Sequence, residues 1–114
     1  MTTARWLLRD GTVLATTEVA DSYTERMRGL SGRSGFDGAL LLPGARAVHT
    51  MGMRFAIDVA FLDRHLKVLE LVHVRPWRLT LPRVRARCVL EAEGGAFERW
   101  GLCAGDELEL HDIP

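Results

Sequence analysis

The sequence predicts an α+β fold rich in β-structure, with an antiparallel, partly closed, barrel-like sheet and one or two short peripheral helices. About six to eight short apolar or alternating runs are bounded by Gly, Pro or Asp-Gly turns, as is typical of short strands. No helical segments alternate with these runs, which argues against a parallel sheet. The chain has 114 residues and is 47% hydrophobic, which is the size and composition of one domain. We therefore predict a single domain over residues 1–114.

The start of the chain predicts a hairpin followed by a helix. Residues 5–8 and 12–19 are β-prone runs separated by Asp10-Gly11, a strong hairpin signal. A helix is predicted to begin near Ser22, which has a glutamate three positions later, the spacing of a capping box. The apolar face of this helix comprises Tyr23, Met27 and Leu30.

The clearest strand is predicted at 55–62, where the side chains alternate between two faces. One face carries Phe55, Ile57, Val59 and Phe61, and the other carries Ala56, Asp58, Ala60 and Leu62. Further strands are predicted at 39–42, 66–74, 84–92 and 107–110, with a short helix at 96–100 that ends at a Gly101 cap.

Composition excludes several functional classes. The 15 basic and 15 acidic residues cancel, so no net charge draws the chain to nucleic acid or to an anionic membrane. Cys88 and Cys103 form neither a CxxC redox pair nor a zinc framework. The chain start lacks the apolar core of a signal peptide, and no run approaches the ~18 apolar residues of a membrane helix. We expect a cytoplasmic protein without a metal or another cofactor.

Three segments carry a family resemblance. They read ERMRGLSGR at 25–33, VHTMGMRFAIDVAFLD at 48–63, and VLE at 89–91 followed by Gly94-Gly95. Their order and spacing resemble the bacterial and archaeal family called domain of unknown function 192, over about residues 12–110. This chain departs from the family pattern at Ala56, where proline is frequent, and at Met51, where an aromatic residue is frequent. The resemblance implies a compact β-rich domain and implies no particular reaction.

Asp58 is the most informative candidate for a site. Its neighbours on the same strand face are alanines, and burying an unpaired carboxylate would be costly. Arg54, Arg28 and Arg33 are the partners that the sequence offers, because a guanidinium grips a carboxylate through two parallel bonds. One interpretation is a structural pair that fixes the loop at 49–54. The other is a contact between Asp58 and a ligand, in a pocket that includes His49 and the 29–35 loop.

Two histidines extend this candidate site. His49 enters the strand that carries Asp58, and His73 ends the following strand, so antiparallel pairing would bring the two histidines to one end. Such a set could act as an acid–base pair or bind a metal, although the spacing matches no standard metal signature. Hydrogen-bonded structural histidines are the alternative.

An arginine-rich run offers a second surface. Arg83, Arg85 and Arg87 would share one face of the predicted 84–92 strand, where they could contact a protein partner or simply form a solvated, internally balanced face. Taken together, the residues favour a binding module for a small polar or anionic ligand or for a protein partner. The alternative is a hydrolase or metal-assisted enzyme that uses His49, Asp58 and His73. No catalytic residue is assigned.

Overall fold

The computed structural model describes residues 2–20, 22, 29–30 and 36–114. The predicted helix that begins near Ser22, and the candidate site residues Arg28 and Arg33, therefore lie outside the described residues, apart from Ser22 and Leu30 themselves. The strands are β1 (Thr2–Arg9), β2 (Thr12–Ala20), β3 (Ala39–Pro43), β4 (Ile57–Leu62), β5 (Val68–Val74), β6 (Cys88–Glu93) and β7 (Glu109–Asp112). One short helix, α1 (Ala96–Trp100), follows β6.

All seven strands belong to one sheet, in the order β5-β4-β6-β3-β2-β1-β7. Five of the neighbouring pairs are antiparallel, which confirms the predicted β-rich, mainly antiparallel fold. The pair β2–β3 is parallel, which the predicted antiparallel sheet did not include. Parallel neighbours need a crossover connection rather than a tight turn. β2 ends at Ala20 and β3 begins at Ala39, which leaves enough sequence for such a connection.

The N-terminal hairpin is confirmed. β1 pairs with β2, and the turn places Asp10 at φ 51° and Gly11 at φ 78°. Two consecutive positive φ angles are what a two-residue type I′ turn requires, and Asp-Gly adopts them at low cost. The predicted cap of α1 is also confirmed, because Gly101 has φ 64° and its N–H donates to the carbonyls of Glu98 and Phe97.

Several strands begin later than the sequence predicts, because local turns take up their first residues. The Asp63 carboxylate accepts hydrogen bonds from the backbone N–H groups of His65 (2.8 Å) and Lys67 (3.0 Å), so β5 begins at Val68 rather than at 66. The N–H of Lys67 is the main reason that the pKa of Asp63 lies below its usual value. Similarly, β4 begins at Ile57 rather than at 55, and β7 covers Glu109–Asp112 rather than 107–110.

The sheet is packed on both faces. One face carries Ala60, Leu62, Leu90 and Ala92 and is covered by α1 together with Leu102 and Leu108. We call it the helix face. The other, the loop face, carries Ile57, Val59, Phe61, Val89 and Leu40 and is covered by Leu30, Val48, Met53 and Ala86. This double burial explains why every residue of β4 is buried.

The sheet is not closed, and its two edge strands are β5 and β7. The predicted partial closure therefore stays a prediction. One corner does join the two edges: the N–H of Val68 donates to the carbonyl of Asp106 (2.8 Å), and the N–H of Leu108 donates to the carbonyl of Leu66 (3.0 Å). Beyond this corner, no strand among the described residues pairs with the outer edge of β5. Within the described part of the chain, no helix has the length and hydropathy needed to cross a bilayer.

Candidate functional site

Asp58 lies in β4 with its side chain on the helix face, where it is 7% exposed. Its Oδ2 accepts hydrogen bonds from the backbone N–H groups of Gly95 (2.9 Å) and Phe97 (3.1 Å), at the start of α1. Its Oδ1 lies 2.8 Å from Nδ1 of His73. The carboxylate thus has three hydrogen-bond partners, which offset the cost of its burial.

Strand register brings His73 to this carboxylate. Asp58 and His73 are directly opposite each other in the antiparallel pair β4–β5, so their side chains leave the same face of the sheet. Asp58 and His73 are therefore cross-strand neighbours, whereas the sequence offered arginines as the partners of Asp58. Gly94 completes the packing. A Cβ at that position would lie 2.9 Å from Cε1 of His73 and 3.1 Å from the carbonyl oxygen of Ala56.

The hydrogen bond to Asp58 fixes the tautomer of the neutral His73 ring. A carboxylate only accepts hydrogen bonds, so Nδ1 carries the proton and Nε2 of the neutral ring carries the lone pair. Within the described chain, Nε2 has no protein partner, and the His73 side chain is 59% exposed. One ring nitrogen is therefore anchored to a buried carboxylate, while the other is available to a ligand or to water.

Two open clefts lie on either side of β5. The first, of about 540 Å³ on the helix face, is lined by Asp58, Leu71, His73, Phe97, Glu98 and Leu102. We call it the histidine cleft. The second, of about 480 Å³ on the loop face, is lined by His73, Val74, Arg75, Arg78, Leu79 and Leu81. We call it the arginine cleft. His73 borders both, so the two clefts form a continuous surface around the end of β5.

The other predicted ligands do not join Asp58. His49 pairs in an isolated bridge with Leu79, and its Nδ1 accepts a hydrogen bond from the N–H of Met51 (3.3 Å). Arg54 is exposed, and the described residues contain no ion pair between it and Asp58. No group of three or more His, Cys, Asp or Glu side chains in the described parts of the chain could hold a metal ion, so His49, Asp58 and His73 do not form a metal site there.

Thr50 shows what the histidine-containing loop does instead. It is fully buried, and its hydroxyl lies 2.5 Å from the carbonyl of Arg75 and accepts a hydrogen bond from the N–H of Arg78 (2.9 Å). Its backbone N–H donates to the carbonyl of Arg78, and its carbonyl accepts from the N–H of Trp77 (both 2.8 Å). The loop at 49–53 therefore fixes the shape of segment 75–80, which lines the arginine cleft.

The arginine-rich run of Arg83, Arg85 and Arg87 does not lie on a strand. Val84 and Arg85 form a turn, and β6 begins only at Cys88, so the predicted strand at 84–92 is wrong in its first half. Arg87 donates to the carbonyls of Val84 and Ala86, which holds this turn. A partner contact through Arg83, Arg85 and Arg87 stays a prediction.

Arg83 is engaged within the fold. Its guanidinium grips the Glu70 carboxylate through two bonds of 3.0 and 2.9 Å and lies 4.7 Å from the centre of the Phe61 ring. The hydrogen bond from Arg83 lowers the pKa of Glu70 and raises that of Arg83. Arg75 and Arg78 are therefore the arginines of the cleft whose charge has no carboxylate partner in the described chain.

Glu91 of β6 is a second buried carboxylate, 2% exposed on the loop face, and the sequence did not predict its burial. Its Oε1 accepts a hydrogen bond from the N–H of Leu30 (3.2 Å). Gly29 has φ 55°, and a Cβ there would lie 2.8 Å from the same oxygen. The available signal was the alternation of β6, which places Glu91 on the same face as Val89.

The family model for domain of unknown function 192, described as an uncharacterised ACR family, matches residues 6–110. The chain belongs to this family. It is 32% identical over 98 residues to a UPF0127 protein of Thermococcus sibiricus, covering 81% of this chain and 64% of that protein. It is 38% identical over 63 residues to a UPF0127 protein of Pyrococcus furiosus, covering 55% and 54%. The chain thus spans less than two thirds of these relatives.

Two crystal structures share the fold of this domain-192 protein. A protein of unknown function from Novosphingobium aromaticivorans superposes with a TM-score of 0.76 at 20% identity, covering 95% of this chain and 84% of that chain. A protein from Sinorhizobium meliloti, described as a candidate transcription regulator, has a TM-score of 0.80 at 22% identity, covering 96% and 94%. At this level of identity the two structures bear on the fold alone.

Proposed function

We propose that this protein is a small binding module whose ligand contacts His73, where the histidine and arginine clefts meet. The observation that carries the proposal is the anchored imidazole. Asp58 holds Nδ1, and two backbone N–H groups hold Asp58, while Nε2 stays without a protein partner in the described chain. A pre-oriented polar group beside apolar walls is typical of a ligand site.

The charges around His73 favour a polar or anionic ligand. Arg75 and Arg78 border the arginine cleft, whereas Glu98 borders the histidine cleft. An anionic group is therefore best accommodated on the arginine side. Nε2 of the neutral His73 ring can accept a hydrogen bond from a hydroxyl or N–H group of the same ligand, and the protonated ring can donate to the anionic group itself. Leu79 and Leu81 add apolar surface for the remainder of the ligand.

A thermal-shift panel tests this proposal. The probes are inorganic phosphate, citrate, glutamate, a nucleotide and a neutral sugar, applied to the native protein and to His73→Gln. A probe at about 100 times its dissociation constant stabilises the folded state by roughly 2.7 kcal/mol. We expect an anionic probe to raise the Tm of the native protein and to lose most of that effect in His73→Gln.

The matched control is His111→Gln. His111 is also about half exposed and pairs with a carboxylate, Glu109, but it lies on the opposite edge strand and outside both clefts. The probe should stabilise this variant as it stabilises the native protein. If no probe stabilises the native protein, or if His73→Gln responds equally, the proposal is wrong.

The Asp58–His73 pair also favours a second candidate, a hydrolase in which Nε2 removes a proton from water. The described residues that line the histidine cleft include no serine, threonine or cysteine, so attack by water fits better than a covalent intermediate. Saturable hydrolysis of p-nitrophenyl esters that is lost in His73→Gln and retained in His111→Gln would favour the enzyme. Hydrolysis that is equal in both variants would exclude it.

A further inference from the structure

The outer edge of β5 is an unpaired strand edge. Near its start, Val68 exchanges backbone hydrogen bonds with Asp106 and Gly105. From Leu69 to Val74 the described chain supplies no backbone partner on the side facing away from β4. Every second residue of an edge strand directs its N–H and C=O groups outward, where they can pair with another strand.

This edge carries little of the usual protection against strand pairing beyond a register shift near its start, where Phe61 pairs with Glu70 and Leu62 with Val68. Residues 69–74 read LELVHV, with no proline and no lysine, and the single glutamate, Glu70, is paired with Arg83. The opposite edge, β7, is different: it has four residues, of which Glu109, His111 and Asp112 are exposed and charged or titratable. Short, charged strands are how proteins block pairing at an edge. The β5 edge is therefore the one built to accept a strand.

The two clefts give this edge its specificity. The side chains of an added strand would alternate between the two faces of the sheet, as those of β5 do. The histidine cleft lies on one face and the arginine cleft on the other, and both border residues 72–73 of β5. A strand added here would therefore place successive side chains into one cleft and then into the other.

The arginine cleft indicates the chemical character of the side chains that an added strand would place there. Leu79 and Leu81 are 73% and 79% exposed, which is a large apolar surface beside the strand edge. Arg75 is exposed, and among the described residues the Arg78 guanidinium donates only to the carbonyls of Pro76 and Trp77 in its own loop. Apolar and acidic side chains complement such a surface, because the arginines can then form ion pairs at its rim.

We propose that the β5 edge binds an extended, acidic and apolar segment of a partner protein, which adds to the sheet as an eighth strand. This inference rests on the proposed function, because it names the occupant of the surface around His73. The main-chain hydrogen bonds supply affinity, and the side chains in the two clefts supply specificity. A segment of about six residues suffices, because a strand of that length spans ~20 Å.

The test uses labelled peptides of about eight residues that alternate apolar and charged side chains, one acidic and one basic. Fluorescence polarisation should show binding of the acidic peptide, and at least tenfold weaker binding of the basic one. Amide NMR shifts should change at 69–74 and stay constant at 109–112 in β7. N-methylation of alternate peptide amides, in the register that faces β5, should abolish binding, while methylation in the other register should not.

Charge reversal on the protein sharpens the test. Arg75→Glu and Arg78→Glu should each weaken the acidic peptide by tenfold or more and improve the basic one. Arg64→Glu is the matched control, because Arg64 is exposed in the turn that precedes β5. It should leave binding unchanged. If the control weakens binding equally, the effect comes from overall charge and the inference is wrong.

The other outcomes separate this inference from the proposed function. Peptide binding that ignores N-methylation, or that shifts amides away from β5, overturns strand addition and leaves the binding module intact. If a small anion stabilises the native protein but not His73→Gln, and no peptide binds, strand addition is likewise overturned and the binding module stays intact. A further outcome is that the protein dimerises with increasing concentration through residues 69–74 of two copies. A second copy would then occupy the β5 edge, and the proposal of a partner-protein segment would be overturned. If neither probes nor peptides bind, both proposals fall.

Discussion

Asp58 and Glu91 are two buried carboxylates in neighbouring strands, and they face opposite sides of the sheet. In the pair β4–β6, Asp58 lies opposite Ala92, and Glu91 lies opposite Val59. Both are nearly inaccessible, at 7% and 2% exposure. Asp58 holds a histidine whose other nitrogen reaches solvent, whereas Glu91 accepts from the backbone N–H of Leu30, which is itself buried.

The difference shows why burial alone does not mark a functional carboxylate. Burial requires hydrogen-bond partners on both faces of the sheet, and both faces provide them. On the helix face the partner of the carboxylate, His73, is itself more than half exposed and carries the effect of Asp58 to the surface. There the carboxylate selects Nδ1 as the nitrogen that carries the proton. Nε2 therefore faces solvent with its lone pair, where a ligand can contact it.

The largest effect is expected from Asp58→Ala. The substitution leaves the N–H groups of Gly95 and Phe97 without their acceptor, and each buried polar group left unsatisfied costs about 1–3 kcal/mol. We expect the free energy of unfolding to fall by about 3–4 kcal/mol in urea denaturation. A loss below about 1 kcal/mol would mean that these bonds contribute little to the fold.

Asp58→Asn separates the structural role from the functional one. Its amide oxygen can still accept from Gly95 and Phe97, so the expected loss is about 1 kcal/mol. Its NH₂ group then faces Nδ1 of His73, which becomes the acceptor, and the ring proton moves to Nε2. Nitrogen NMR of the imidazole should show this tautomer change. An unchanged tautomer would mean that Asp58 does not determine which nitrogen of His73 carries the proton.

The second effect concerns Cys88, a buried thiol on the same face as Asp58. Burial, with a smaller contribution from Asp63, raises its pKa from the ordinary 9.0 to about 11. The folded state therefore favours the protonated thiol. That contribution is present below pH 9.0 and is lost as the pH rises towards about 11, by about 2 kcal/mol at the upper end.

Urea denaturation between pH 8 and pH 11 checks this, with Cys88→Ala as the reference that lacks the titrating group. The native protein should lose about 2 kcal/mol more than the variant over that range. Exposed Cys103 should meanwhile react with a thiol reagent at pH 8, while buried Cys88 stays protected until the chain unfolds. Parallel pH profiles for the two proteins would contradict the raised pKa.

Much of the fold was predictable because its signals are local. The Asp10-Gly11 turn, the alternation in β4 and the Gly101 cap each depend on a few adjacent residues, and each is confirmed. The strand starts were not predictable in the same way. The turn at Asp63 and the turn at Val84 compete with strand formation through hydrogen bonds that the apolar pattern does not reveal.

The site was predictable only in part. Its small neighbours marked Asp58 as a buried carboxylate, but arginines were expected as its partners. The actual partners depend on the register of β5 against β4, which places His73 opposite, and on where α1 begins, which places two N–H groups beneath the carboxylate. Both are long-range features. Likewise, the isolated bridge between His49 and Leu79 is a contact between two loops that no local pattern predicts.

A loss of about 1–2 kcal/mol is expected from Gly29→Ala, on the Glu91 side of the comparison. Gly29 has φ 55°, a conformation that strains an L residue. The new Cβ would also lie 2.8 Å from Oε1 of Glu91, and the buried glutamate has little room to move aside. Urea denaturation gives the loss in the free energy of unfolding.

Gly11→Ala is the control that isolates the clash. Gly11 also has a positive φ, 78°, but a Cβ there would meet no atom within 4 Å, so its substitution costs backbone strain alone. The excess loss in Gly29→Ala measures how rigidly Glu91 is held. An excess near zero would mean that the glutamate can shift, and then Glu91 would be the adaptable carboxylate of the pair and Asp58 the fixed one.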